Sequence, residues 1–120
     1  MANKRELKKF ICNTCGSLAA DMVNLAEIFP QIDTADVQRI VVATARLQAS
    51  TLSRMGVAFD RTPRDFENKA AYNAARGAYF REAYTALLDT FAKGVAELVK
   101  EMNAAIPAEV REVLKKAAAQ

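Results

Sequence analysis

Cys12 and Cys15 stand three residues apart in Cys12-Asn13-Thr14-Cys15, the one motif in the chain whose residue types could carry out chemistry directly. A redox pair with this spacing needs its first thiol at a helix N-terminus, usually just after a strand, where free N–H groups and the helix dipole stabilise a thiolate. Here the pair falls two or three turns inside a helical pattern that no strand precedes. Cys15 fits the apolar stripe of that helix and Cys12 lies on its flank, and a free cysteine commonly behaves as a small buried hydrophobe. Lys8 and Lys9, one turn earlier, would favour a thiolate. A thiol-dependent sensor or enzyme using Cys12 and Cys15 therefore stays open behind the packing reading. A structural zinc site takes four ligands. One chain offers two cysteines and no histidine. Two copies would pool four cysteines, but nothing else in the sequence argues for that.

The absence of histidine from all 120 residues narrows the chemistry further. It removes Ser-His and Cys-His dyads, imidazole metal ligands and the usual general base near neutral pH. It also excludes the Glu-x-x-His pairs of ferritin-like metal sites. The carboxylates are scattered, and Asp33 and Asp36 suit capping better than acid–base work. Gly16, Gly56, Gly77 and Gly94 are isolated, so no glycine-rich phosphate loop exists. The expectation is a protein that is not an enzyme, with no catalytic, cofactor-binding or metal residue and no cofactor.

Two clusters suit contact. Lys4, Arg5, Lys8 and Lys9 crowd the N-terminus against a single Glu6. On a helix residues 4 and 8 share a face, as do 5 and 9. Four charges hold nucleic acid only weakly at physiological salt, and no aromatic residue interleaves with them to stack on bases. A solvated basic end is the favoured reading, with a weak nucleic-acid contact as the alternative. Arg76, Tyr79, Arg81, Glu82 and Tyr84 form a polar–aromatic patch of residue types enriched at interfaces. They are equally ordinary on a bundle surface, where long side chains cover apolar neighbours.

The rest of the chain must position these groups. Its composition is 52% hydrophobic and 26% charged, with four Gly, three Pro and a net charge of +3. That suits one globular, alanine-rich, helix-forming domain over residues 1–120. No apolar run reaches the length of a membrane span. Asn13, Thr14, Gly16 and Asp21 interrupt the only stretch that could serve as a signal peptide. With its two cysteines, the chain reads as cytoplasmic.

Apolar periodicity predicts the helices. Leu7, Ile11, Thr14, Leu18, Met22, Leu25 and Phe29 recur at steps of three and four, widened by Phe10, Cys15 and Ile28, and predict a helix over about 4–29 that begins at Asn3 or Lys4 and is ended by Pro30. Asp33 or Thr34 opens a second helix over about 34–55, striped by Val37, Ile40, Val41, Thr44, Leu47, Thr51, Leu52 and Met55, with Gly56 as its terminating residue. Thr62-Pro63-Arg64-Asp65 is a start signal. The apolar stripe then continues from Phe66 to Met102 with an average step near 3.5. Unbroken from Pro63 to Ala105, that segment would be about 64 Å long, whereas a compact domain of this size is only roughly 35 Å across. The helix must either break or project and pack against another copy. A break at Gly77 is favoured, giving helices over 63–75 and 77–104. Pro107 opens a last short helix over 107–118. The expected fold is all-α: a compact up-and-down bundle of three to four main helices with a short C-terminal helix.

Asn3-Lys4-Arg5-Glu6-Leu7-Lys8-Lys9 with Ile11, Cys15 and Leu18, together with Ala78-Tyr79-Phe80-Arg81 followed by Phe91, Val95, Leu98 and Met102-Asn103, resembles small all-helical proteins of Bacteroides-type bacteria. The resemblance covers most of the chain. It implies a helical bundle and carries no assigned activity. The segment from Asp60 to Ala75 is longer than its counterpart there. The functional expectation is a bacterial bundle that acts through protein contacts, including self-association as a dimer, with no membrane partner.

Overall fold

Pro30 stops the first helix as its chemistry demands, and the two caps that follow set the remaining boundaries. A computed structural model describes residues 4–119. Asn3, the alternative helix start, lies outside them. The elements are α1 (Lys4–Ile28), α2 (Thr34–Arg54), a 3₁₀ turn (Pro63–Asp65), α3 (Lys69–Ala105) and α4 (Ala108–Ala119). Asp33 caps α2 by accepting a hydrogen bond from the Ala35 N–H at 2.9 Å. Met55 caps the end of α2, its N–H reaching the Leu52 carbonyl. Gly56 follows it at C′, as expected, but without a left-handed backbone: no described residue has positive φ.

The fold is an all-α helical bundle, as the periodicity requires. One core cluster joins Leu7, Ile11 and Cys15 from the start of α1 to Met55 at the end of α2 and to Leu87 and Phe91 in the middle of α3. A second joins Met22 near the end of α1 to Ile32, to Ile40 near the start of α2 and to Met102 near the end of α3. α2 is therefore antiparallel to both neighbours, α1 runs parallel to α3, and the order is up, down, up. Burying each of these large side chains stabilises the fold by roughly 1.5–3 kcal/mol before entropy is counted. Thr44 and Thr51 are also buried, because each hydroxyl donates to the carbonyl four residues back, at 2.8 and 2.7 Å, and leaves no orphaned polar group. Gly94 lets α2 and α3 approach closely: a Cβ there would lie 2.6 Å from Leu47 Cδ1.

The third segment departs from expectation. No helix spans 63–75, and none starts at 77. Pro63–Asp65 makes a single 3₁₀ turn, in which the Asp65 carboxylate accepts from the Thr62 N–H at 2.9 Å, and the chain is extended again by Phe66. The helix starts instead after Asn68, whose side chain accepts from the Ala71 N–H at 2.7 Å, and it runs through Gly77 without interruption for 37 residues. The reason is energetic. A mid-helix glycine costs only about 1 kcal/mol, whereas a break there would leave up to four N–H and four C=O groups in need of new partners. The helix projects instead. The bundle has principal extents of 65 × 30 × 19 Å and a radius of gyration of 19.9 Å, well above the ~14 Å of a compact chain of this length.

At the far end, Ile106 and Val110 are buried. The Arg111 guanidinium donates to the Ile106 carbonyl at 3.0 Å and to the Asn103 carbonyl, placing a cation on the last turn of α3.

Candidate functional site

Three places compete for function, and the fold separates them. The first is the cysteine pair. Cys15 is only 2% exposed within the core, while Cys12 is half-buried, and both thiols are free. Burial pushes the Cys15 thiol above its usual pKa, and neighbouring Cys12 pushes it the same way. That opposes the thiolate a redox or nucleophilic role requires. No group of three or more metal-binding side chains occurs among the described residues.

The second place is the segment that projects beyond the bundle. Phe59 and Phe66, on the extended connection, lie against Tyr72 and Tyr79 of α3, with ring centroids 5.4–6.2 Å apart. Tyr79, Phe80 and Tyr84 continue the chain of rings along the helix, and Arg76 sits 4.9 Å over the Phe80 ring. The patch expected at Arg76, Tyr79, Arg81, Glu82 and Tyr84 is thus split. The tyrosines are half-buried in this small aromatic core, Arg76 is exposed with its guanidinium over Phe80, and Arg81 and Glu82 are exposed. The basic residues Lys4, Arg5, Lys8 and Lys9 are exposed on the first turns of α1, next to the cluster containing Leu7, Met55 and Leu87. They therefore sit at the same end of the molecule as the root of this projection.

The third place is the face between α1 and α3. These two helices approach each other less closely than either approaches α2. A groove of about 390 Å³ opens between them, walled by Phe10, Thr14, Leu88, Phe91, Ala92 and Val95. Its walls carry no charged residue. Three other depressions are each walled by at least one: Arg54 in one, Arg39 and Arg46 in a second, and Arg81, Glu82 and Asp89 in a third. Phe10 is 53% exposed, its ring set edge-on to Phe91 with centroids 6.1 Å apart. Leu88 and Val99 are exposed along the same side of α3.

Apolar spacing alone assigns Phe10 to the core stripe and does not single out Leu88, Ala92 and Val99. A signal for them is nonetheless present: Leu88, Ala92, Val95 and Val99 recur at steps of four, three and four, a second apolar stripe beside the core one at Leu87, Phe91, Leu98 and Met102. Two adjacent stripes on one helix present more apolar surface than a single seam uses. Side chains of α1 and α2 both pack on the core stripe, and Leu88, Ala92 and Val99 of the second are left exposed.

No helix among the described residues is long and apolar enough to cross a membrane. Comparison with protein-family models, with curated proteins and with solved structures finds no match to this chain.

Proposed function

We propose that this chain is a non-enzymatic contact module of a reducing, cytoplasmic compartment, and that its working surface is the open face between α1 and α3. One observation carries this reading: a continuous apolar groove, free of charge, lies where a bundle would ordinarily seat another helix. Helix-in-groove recognition uses apolar anchors at three- and four-residue spacing, which is the spacing of Leu88, Ala92, Val95 and Val99. Exposed apolar residues that cluster, rather than scatter, mark contact sites.

Photo-crosslinking in the native cell tests it. A photoreactive residue at Leu88 is expected to give protein adducts that vanish when Ala92→Glu is added, while the same group at Ser50, exposed on α2, gives none. Equal adducts from both positions would sink the reading.

A second reading has an observation of its own. The exposed N-terminal basic cluster and the aromatic projection share one end of the molecule, which supplies part of the aromatic company that the cluster lacks in sequence. A weak nucleic-acid contact there would show as anisotropy of a labelled single strand that falls steeply with salt. It would be lost when Lys4, Arg5, Lys8 and Lys9 become Glu. Binding that survives those substitutions would remove this alternative.

A further inference from the structure

The open face has a length, a spacing and a charge pattern, and together they specify an occupant. We infer that a second copy of this chain covers it, laid antiparallel about a two-fold axis near Ala92, with the projection of each copy running along the far half of the other. This rests on the contact reading above and names its partner.

The length comes first. α3 has 37 residues and α2 has 21. At 1.5 Å per residue, about 24 Å of α3 has no companion from α2. Between Met55 and Leu87 no side chain is fully buried. An antiparallel second α3 with the two-fold near Ala92 ends its Ala105 opposite Ala78, and so would cover the inner half of that stretch, from about 79 to 86.

The spacing comes next. Leu88, Ala92, Val95 and Val99 form a seam with the 3.5-residue repeat of helices that pair side by side. A two-fold axis near Ala92 puts Leu88 of one copy beside Val95 of the other, apolar against apolar. Phe10 closes the groove on each side. The contact is self-complementary and closed, as a two-fold interface must be.

Charge decides the direction. Residues 4–9 and 54–84, the end that bears the projection, hold ten Lys or Arg against five Asp or Glu, a net of +5. The rest of the chain holds seven against nine, a net of −2. Antiparallel packing sets the positive end of each copy against the negative half of the other, twice. Parallel packing sets positive against positive. Complementary fields of this kind select orientation more than they add affinity.

Light scattering on the purified full chain is the first test. The expected mass is twice the 13.1 kDa of one chain. Leu88→Glu with Ala92→Glu is expected to give a monomer with unchanged helical circular dichroism. If that variant fails to fold, Arg76→Glu with Arg81→Glu, both exposed on the projection, is the second: its dimer should dissociate roughly tenfold more readily. A wild-type chain that stays monomeric at its highest soluble concentration overturns the inference. If Leu88 still crosslinks a different protein in the cell, the contact reading survives while self-pairing falls.

Spin labels at Asn73→Cys on a Cys12→Ser background then read the direction. Antiparallel packing places the two labels roughly 55–60 Å apart, twice the helical rise from Asn73 to the axis. A short separation, set by helix axes only about 8–10 Å apart plus the reach of the labels, would mean parallel packing and would overturn the geometry.

Discussion

The bundle and the projection are built from one continuous helix, yet they are held by different means. Within the bundle, α3 buries Leu87, Phe91, Leu98 and Met102 against side chains from two other helices. Along the projection, residues 56–86 contain no fully buried side chain. Order there depends on half-buried rings lying on one another and on local caps at Asp65 and Asn68. The contrast shows that an uninterrupted ladder of backbone hydrogen bonds does not imply uniform stability. Tertiary packing, not helix propensity, supplies most of what holds a helix in place.

The largest expected effect lies in the bundle. Phe91→Ala should cost about 3–5 kcal/mol in urea unfolding, whereas Phe59→Ala should leave the global transition nearly unmoved and speed amide exchange from Lys69 to Phe80. Equal losses from the two would erase the distinction. Gly94→Val comes next, at about 1–3 kcal/mol of destabilisation by thermal melting, because the added methyls are driven into Leu47. Asn68→Ala should cost about 1 kcal/mol, and hydrogen exchange should show the loss confined to the first turns of α3.

Gly77→Ala should act in the opposite direction. A Cβ there meets nothing nearer than the Arg81 guanidinium at 3.9 Å, so the variant should gain about 0.5–1 kcal/mol and slow exchange in the projection. No gain would mean that Gly77 is held by something beyond helix propensity. The smallest effect is the pH response of the core. Cys15 has its pKa raised in the fold, first by burial and then by Cys12. Below the ordinary thiol pKa both folded and unfolded states are protonated and the group is neutral in its effect. Above about pH 8.5 the unfolded chain releases the proton while the folded chain keeps it, so stability should decline as pH rises. Urea titrations of Cys15→Ala should lack that decline.

How far these regions are legible in the sequence follows from the same contrast. The stripe that predicts the helices also names the interior: Leu7, Ile11, Cys15, Met22, Ile40, Thr44, Thr51, Leu87, Phe91, Leu98 and Met102 are all buried. Periodicity reports which face of a helix is apolar, but it does not report where the neighbouring helices stop. The same 3.5-residue repeat therefore runs on through Ala70, Asn73, Gly77 and Phe80, none of which is fully buried. The break expected at Gly77 comes from assuming a compact globule, and the cost of one glycine is too small to enforce it. Thr62 is the start signal that the sequence singles out, yet the cap forms at Asn68. The helix cannot begin at Thr62 because the chain is extended at Phe66, whose ring lies on Phe59 and Tyr72. Phe10 is misplaced by spacing because a stripe widened by one aromatic looks the same whether that ring is covered or bare. The groove it borders depends on the gap between α1 and α3, and no spacing within one helix encodes that gap.

The connection between Met55 and Lys69 has slack built into it. Thirteen residues join these two, and fully stretched they would reach about 43 Å. The climb they make, from the level of Leu87 to the level of Lys69, is only about 27 Å. One heptad inserted near Ala75 would lengthen the rod by roughly 10 Å and turn its tip by only about 20°, and the return segment would still span the distance. A single inserted residue would instead swing the tip by about 100°. The protein is in this sense a ruler graduated in sevens, whose reach can change in evolution or by design without disturbing the three-helix base.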